Sequence, residues 1–280
     1  YLTGDAVKNQ INQVVGGKNG QRFISAIVSA VNTNPTLQEC TNQSILSGAL
    51  LGESLKLSPS PQLGHYYLVP FNDKNKGKVA QFQMGYKGYI QLAIRSGQYK
   101  KINVIAVKEG ELEYFDPLNE EIKINMMIDK WDEREAAPTI GYYAMFELVN
   151  GFRKAIYWSK AQMEAHALKY SPGYKKDRRD GSNHTFWSKD FDGMAYKTML
   201  RQLISKWGIM SIDMQSAIDA DMAVINEDGS KDYVDNDDSI IDAEPPQSEE
   251  PQPEPRQEAE KKPETTQQPT DAQMALFGNK

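Results

Sequence analysis

Apolar positions recur first at helical spacing. In Gln21–Val31, residues Phe23, Ile24, Ile27, Val28 and Val31 fall three and four apart, which predicts an amphipathic helix stopped at Pro35. A second run carries Leu37, Cys40, Ile45, Leu46, Leu50, Leu51 and Leu55, and breaks at Ser58-Pro59-Ser60-Pro61. Tyr66–Phe71 and Lys78–Met84 are rich in aromatic and β-favouring residues, and the turn-forming Asn72–Gly77 between them predicts a hairpin. Residues 86–96 return to helical period. Lys101–Val107, Glu111–Phe115 and Glu121–Met127 read as strands. So do Thr139–Leu148 and Phe152–Trp158, joined by Asn150-Gly151, a two-residue hairpin signal. Ser159 is placed to cap a helix over Lys160–Lys169, with Glu164 in its early turns. Ser171–His184 reads as a polar, basic loop, followed by a helix over Ser188–Trp207 and a shorter one over Met214–Ile225. The expectation is an α+β fold, helices with a small antiparallel sheet or hairpins. No internal repeat is present.

From Asn226 the pattern fades. Seven of the 14 prolines lie in Pro245–Pro269, and acidic residues and Gln fill most of the rest. Such a stretch buries too little apolar surface to offset its ordering entropy, so residues 226–280 are expected to form a disordered acidic tail. Its tip, Met274–Phe277, is again apolar. The expected organisation is a segment 1–20 that orders between subunits, a body over 21–225 and the tail.

Charge sharpens this division. The net charge of −6 is the sum of two unlike parts. Residues 1–210 hold 27 Lys and Arg against 20 Asp and Glu, a net of +7. Residues 211–280 hold 5 against 18, a net of −13. A basic body with an acidic appendage points to nucleic-acid contact by one part and regulation or solubility by the other. One cysteine, Cys40, excludes an internal disulfide framework, a thiolate zinc cluster and a CxxC redox pair, and suggests a reduced, cytoplasmic setting. No apolar run approaches the ~18 residues of a membrane span. No basic-then-apolar signal segment is read at the start, and the lack of an initial Met gives the expectation of a fragment.

Three constellations carry candidate chemistry. In the stretch from Gln83 to Gly97, Lys87, Gln91 and Arg95 share one helix face at i, i+4 and i+8, beside a glycine-rich entry. That face suits phosphate contact; it is equally a solvated face of an amphipathic helix. No Gly-Lys-Ser/Thr follows a four-residue gap, so the glycines form no P-loop. In Gly173–Arg179, Lys175, Lys176, Arg178 and Arg179 lie between Tyr174 and the flat rings of His184, Phe186 and Trp187. Cations that track phosphates beside rings that stack on bases are what single-strand binding needs; a plain basic loop reads the same way. In the late helix, Tyr196, Met199, Leu200, Leu203, Ile204 and Trp207 form a core arc, with Lys197 and Arg201 at its margin as groove-lining cations or as stems covering the core. Enzyme chemistry finds less support. His65, His166 and His184 are scattered, and no spacing singles out any of Asp116, Glu120, Glu121, Asp129, Asp132, Glu133 or Glu135 for a magnesium nuclease. No metal or other cofactor is expected.

Three stretches together resemble the RecT family of phage recombinases, the single-strand annealing proteins, over roughly residues 20–225. They are Gly64-His65-Tyr66-Tyr67-Leu68-Val69-Pro70-Phe71; Gln81-Phe82-Gln83-Met84-Gly85-Tyr86-Lys87-Gly88-Tyr89 running to Ala93-Ile94-Arg95-Ser96-Gly97; and Trp187…Asp190-Phe191…Met194-Ala195-Tyr196-Lys197-Thr198…Arg201. The proline that often ends the family's late helix is absent here. The resemblance implies a protein without bond-making chemistry. It implies ATP-independent coating of single-stranded DNA resected by a 5′→3′ exonuclease, annealing through a duplex intermediate, and assembly into rings or helical filaments with DNA in a basic groove. On that reading Lys87, Arg95, Lys175, Lys176, Arg178, Arg179, Lys197 and Arg201 line the DNA path, and Tyr86, His184 and Trp187 stack on bases or support the cations. The tail is read as a solubilising appendage, as a competitor with DNA for the basic groove, or as a tether presenting Met274–Phe277 to the exonuclease or a host single-strand-binding protein. Rival readings are the magnesium nuclease, a sequence-specific DNA binder, for which no helix-turn-helix or zinc-finger pattern is found, and a structural phage DNA-binding protein.

Overall fold

The computed structural model describes residues 19–73 and 76–233, together with Asn9, Ile11, Asn12, Val15 and Gly16. Most of the segment 1–20 and the tail from residue 234 onward lie outside the described residues, and the expectations placed on them lie outside as well.

Helix α1, Gly20–Thr33, buries Phe23 and Ile27 of the expected stripe together with Ala30, while Ile24 and Val31 are half-buried and Val28 faces out. Pro35 does more than stop it: Pro35–Glu39 is a 3₁₀ turn with proline at its start, where the missing N–H loses nothing. Helix α2, Asn42–Ser54, is capped by the Thr41 hydroxyl, which accepts the Ser44 N–H. Ser44 to Leu50 are all buried, so α2 runs through the core. At Gly52 a Cβ would sit 2.3 Å from the Tyr66 ring, so only glycine lets the first strand approach this closely.

Strands β1, Tyr66–Asp73, and β2, Gly77–Met84, pair antiparallel as the sequence predicts. Pro70 opposes Ala80, whose N–H is donated away from β1 to the Ser44 hydroxyl, so the proline removes no ladder bond. Helix α3, Tyr86–Arg95, follows directly.

Strands β3 (Tyr99–Lys108), β6 (Thr139–Leu148) and β7 (Arg153–Ser159) form the largest sheet, with β6 in the centre. Alternation along β6 sorts its side chains onto two faces. Tyr142, Ala144 and Phe146 join the main core. Tyr143 and Met145 pack on the other side with Leu112, Ile122 and Ile124 from the small hairpin of β4 (Leu112–Asp116) and β5 (Glu121–Ile124). A short helix, α4 (Trp131–Ala136), is not foretold by periodicity. It delivers Arg134 to the fully buried Glu111, 2.6 Å from Nε to Oε1, and the guanidinium also donates to the Ala106 carbonyl. The β6–β7 turn spans three residues rather than two. The Leu148 N–H donates to the Phe152 carbonyl, the Gly151 N–H donates to the Leu148 carbonyl, and Gly151 takes the left-handed conformation (φ +88°).

Helix α5, Lys160–Tyr170, opens with a capping box in which Ser159 pairs with Gln162, not Glu164. The expected loop after it is in fact helix α6, Pro172–Asp180. The expected late helix is split: α7 (Phe186–Lys189) ends at Asp190, whose carboxylate accepts the Gly193 N–H and starts α8 (Phe191–Trp207). Helix α9, Ile212–Ala220, ends earlier than predicted. Met222 adopts φ +69°, and the chain turns back to exchange backbone hydrogen bonds between Phe82 and the Met222–Ala223 segment. A last hairpin, β8 (Val224–Ile225) with β9 (Lys231–Asp232), carries regular structure beyond residue 225 and is tied to the β1–β2 turn by Lys76 and Asp232, 2.5 Å apart. The fold is α+β, as expected.

Candidate nucleic-acid interface

Helix α6 carries the densest positive charge. Its limits follow from its sequence: Ser171 accepts the Tyr174 N–H, Pro172 occupies the first turn, and Gly181 (φ +67°) closes the end with its N–H on the Asp177 carbonyl. Tyr174 and Asp177, one turn apart, face inward. The Asp177 carboxylate accepts from the Ser188 hydroxyl (2.7 Å), the Ser182 hydroxyl (2.7 Å), the Thr185 N–H (2.8 Å) and hydroxyl (2.9 Å), and the His184 N–H (3.0 Å). These donors, Ser188 foremost, hold its carboxyl far below the usual carboxylate range despite desolvation. With that acid turned inward, Lys175, Lys176, Arg178 and Arg179 stand exposed. Arg178 leans on Glu164 (3.2 Å) and Arg179 on its neighbour Asp180 (2.8 Å). Lys175 forms no ion pair among the described residues. The His184 side chain is 83% exposed, with Nδ1 3.3 Å from Asp177 Oδ1.

The glycines before α3 have a packing role. A Cβ at Gly85 would lie 2.1 Å from the Gly64 carbonyl oxygen, and one at Gly88 would lie 2.1 Å from that of His65. Both glycines let the 64–65 backbone rest on the first turn of α3. Lys87 is exposed there, its ammonium 6.0 Å from the Tyr86 ring centre. Tyr86 is half-buried, edge-on to Tyr196 at 5.4 Å, and Tyr67 meets Phe186 at 5.5 Å, so β1, α3, α7 and α8 converge on this corner. Desolvation, with the charges of Arg95 and Lys87, pushes the His65 imidazole down, and its Nδ1 accepts the Ser58 N–H. Arg95 is exposed like Lys87 and near enough to act on the same His65, and it also donates to the Leu55 (2.6 Å) and Lys56 (3.2 Å) carbonyls at the end of α2, a fastening of a helix C-terminus.

The third constellation also divides. Lys197 has a side chain only 7% exposed, with its ammonium 2.7 Å from Asp221 Oδ1, and Asp221 is itself 1% exposed. Asp221 also accepts the Met84 N–H (2.9 Å) and the Tyr89 hydroxyl (3.1 Å). One buried carboxylate thus joins β2, α3 and α8 to the end of α9. Arg201, one turn on, is exposed at the rim of this cluster, where its charge opposes that of Asp221 in setting the Tyr89 hydroxyl. Lys197 therefore faces the interior. So does Trp187, packed on Phe191 (5.2 Å) and Tyr174 (6.1 Å), which leaves no ring face for a base.

Sequence reasoning missed Asp221 and Asp177. Asp221 has no local signal, since its partners lie 24 to 137 positions away. Asp177 had one: an acid inside a basic run, followed by Ser182, Thr185 and Ser188 as donors. Among the described residues no group of three or more His, Cys, Asp or Glu is gathered to hold a metal ion, and no helix is long and apolar enough to cross a membrane.

Comparison with known proteins agrees with the family resemblance. The RecT family model matches residues 21–239. A Bacillus subtilis (strain 168) protein described as "Uncharacterized protein YqaK" is 41% identical over 254 residues, covering 89% of this chain and 80% of its own. Protein RecT of Escherichia coli (strain K12) is 30% identical over 205 residues, covering 72% of this chain and 71% of its own. A match of this extent shows the family: the chain belongs to the RecT family.

Proposed function

We propose that this protein binds single-stranded DNA through the exposed cations of α6 together with Lys87 and Arg201, and anneals it to a complementary strand as a ring or helical oligomer without ATP. Membership of the RecT family carries the general role, recombination by single-strand annealing. The observation that supports the finer reading is the asymmetry of α6, where Asp177 is turned inward and Lys175, Lys176, Arg178 and Arg179 are turned outward. An annealing protein must hold backbones and leave base edges free to pair. Cations on a short rigid helix do this, because phosphate contacts position a strand without reading it. Lys197 and Arg95 support the path by fixing α8 and the end of α2, and His184 is the exposed ring beside it. The acidic tail is proposed to tether a partner such as a 5′→3′ exonuclease or a host single-strand-binding protein, in the cytoplasm of a bacterial host.

The test is binding of a fluorescent single strand across a salt series, with annealing measured with and without ATP. Affinity is expected to fall with a log–log slope of about −0.7 per phosphate neutralised, and annealing to proceed equally without ATP. A flat salt dependence, or magnesium-dependent cleavage of the strand, would sink the reading.

A further inference from the structure

We infer that the ring row Trp158–His166–Tyr170 is a stacking platform for a base of single-stranded DNA, with Lys169 and Arg201 beside it for the adjoining phosphates. The inference rests on the single-strand reading above and assigns base stacking to residues that reading does not use.

The row is built by local geometry. Trp158 is the penultimate residue of β7. His166 and Tyr170 lie four apart on α5, hence on one face of that helix. Ring centres are 5.4 Å apart from Trp158 to His166 and 4.6 Å from His166 to Tyr170, within the range of favourable aromatic pairs. The inner ring, Trp158, packs against the main core. Core packing does not account for the outer one, because Tyr170 lies outside that core and is 37% exposed. The row therefore starts in the interior and ends in a part-exposed tyrosine ring.

Charge around the row is of one sign. The Lys169 ammonium is 5.0 Å from the Tyr170 ring centre. Desolvation and the charges of Arg201 and Lys169 push the His166 imidazole down to about 4, so at neutral pH it is an uncharged flat ring. Neutral rings in series flanked by cations match a nucleotide's two parts: a base continues the row, and its phosphates meet the cations. Such a platform is indifferent to sequence, since every base has a π-face.

The experiment compares the full chain with Tyr170→Ala and Tyr170→Phe on an oligothymidylate strand and on an abasic strand of equal length, across a salt series. Tyr170→Ala is expected to bind oligothymidylate about ten-fold or more weakly, with unchanged affinity for the abasic strand and an unchanged salt slope, and Tyr170→Phe to rescue most of the loss. Wild-type affinity of Tyr170→Ala for oligothymidylate, or an equal loss on both strands, overturns the platform while leaving the single-strand reading intact. Failure of the wild-type chain to bind either strand overturns that reading, and the platform falls with it.

Discussion

Lys197 on α8 and Lys175 on α6 carry the same ammonium group, yet their surroundings assign them opposite work. Lys197 is buried against Asp221, whose remaining lone pairs are taken by Met84 and Tyr89. Lys175 stands in water on a helix whose nearest acid, Asp177, is turned inward by its own set of donors. A buried ion pair is retained only where further hydrogen bonds complete it, and breaking it leaves an uncompensated charge. An exposed lysine contributes little to stability and remains available to a ligand. A motif residue and a composition-rich run can therefore look alike as candidate DNA contacts while one holds the fold and the other faces the solvent.

The comparison breaks most readily at Lys197. Lys197→Ala should cost about 3–5 kcal/mol of stability, read as a lower urea midpoint with unchanged slope, and the double change Lys197→Met with Asp221→Leu should recover only part of that loss, because the buried Met84 N–H and Tyr89 hydroxyl lose their acceptor. A Lys197→Ala protein with wild-type stability but lost DNA binding would reverse the assignment. Next, Asp177→Ala should weaken single-strand binding even though it removes a negative charge near the path. Without that carboxylate, Ser182, Thr185 and Ser188 no longer hold α6 in place; a gain in affinity would show that the charge matters more than the fastening. A smaller effect is expected for Lys175→Ala with Lys176→Ala: stability within about 0.5 kcal/mol of wild type, with the salt slope reduced by about 0.7 per lost contact. The smallest concerns pH. His166 titrates lower in the folded state (about 4) than the ordinary histidine value of 6.5. The unfolded chain therefore binds more protons between those values, and stability should fall as pH drops from 6.5 toward 4. His65 adds in the same direction. His166→Phe should flatten this fall in a pH series of thermal melts.

Elements with a repeating signal were legible in the sequence. The Phe23 and Ile27 positions of α1, the β1–β2 hairpin and the β6–β7 pair follow from spacing and turn residues that act over a few positions. Helix α6 carried its start and stop signals, Ser171-Pro172 and Gly181, but its six charged residues masked any apolar period. Helix α4 is short and held by the Arg134–Glu111 pair, a contact across 23 positions that no local pattern encodes. The same reason hid the placement of the site. Spacing put Lys87 and Arg95 on one face of α3, and both are exposed, but which of the two also fastens a carbonyl depends on what the chain brings alongside. For Arg95 that is the end of α2, and for Lys197 it is an aspartate still to come in the chain.

The position of that aspartate has a kinetic consequence. Asp221 closes a contact to Met84 that spans 137 residues. During synthesis from the N-terminus, β2, α3 and α8 all exist before the group that joins them does. Until then Lys197 has no carboxylate to enter the core with, and β2 lacks the Ala223 backbone that it bonds through Phe82. Closure of such distant contacts is intrinsically slow. A nascent chain stopped before residue 221 should present open strand edges and be prone to aggregation, so the last turn of the body acts as a checkpoint on whether the rest of it becomes a finished protein.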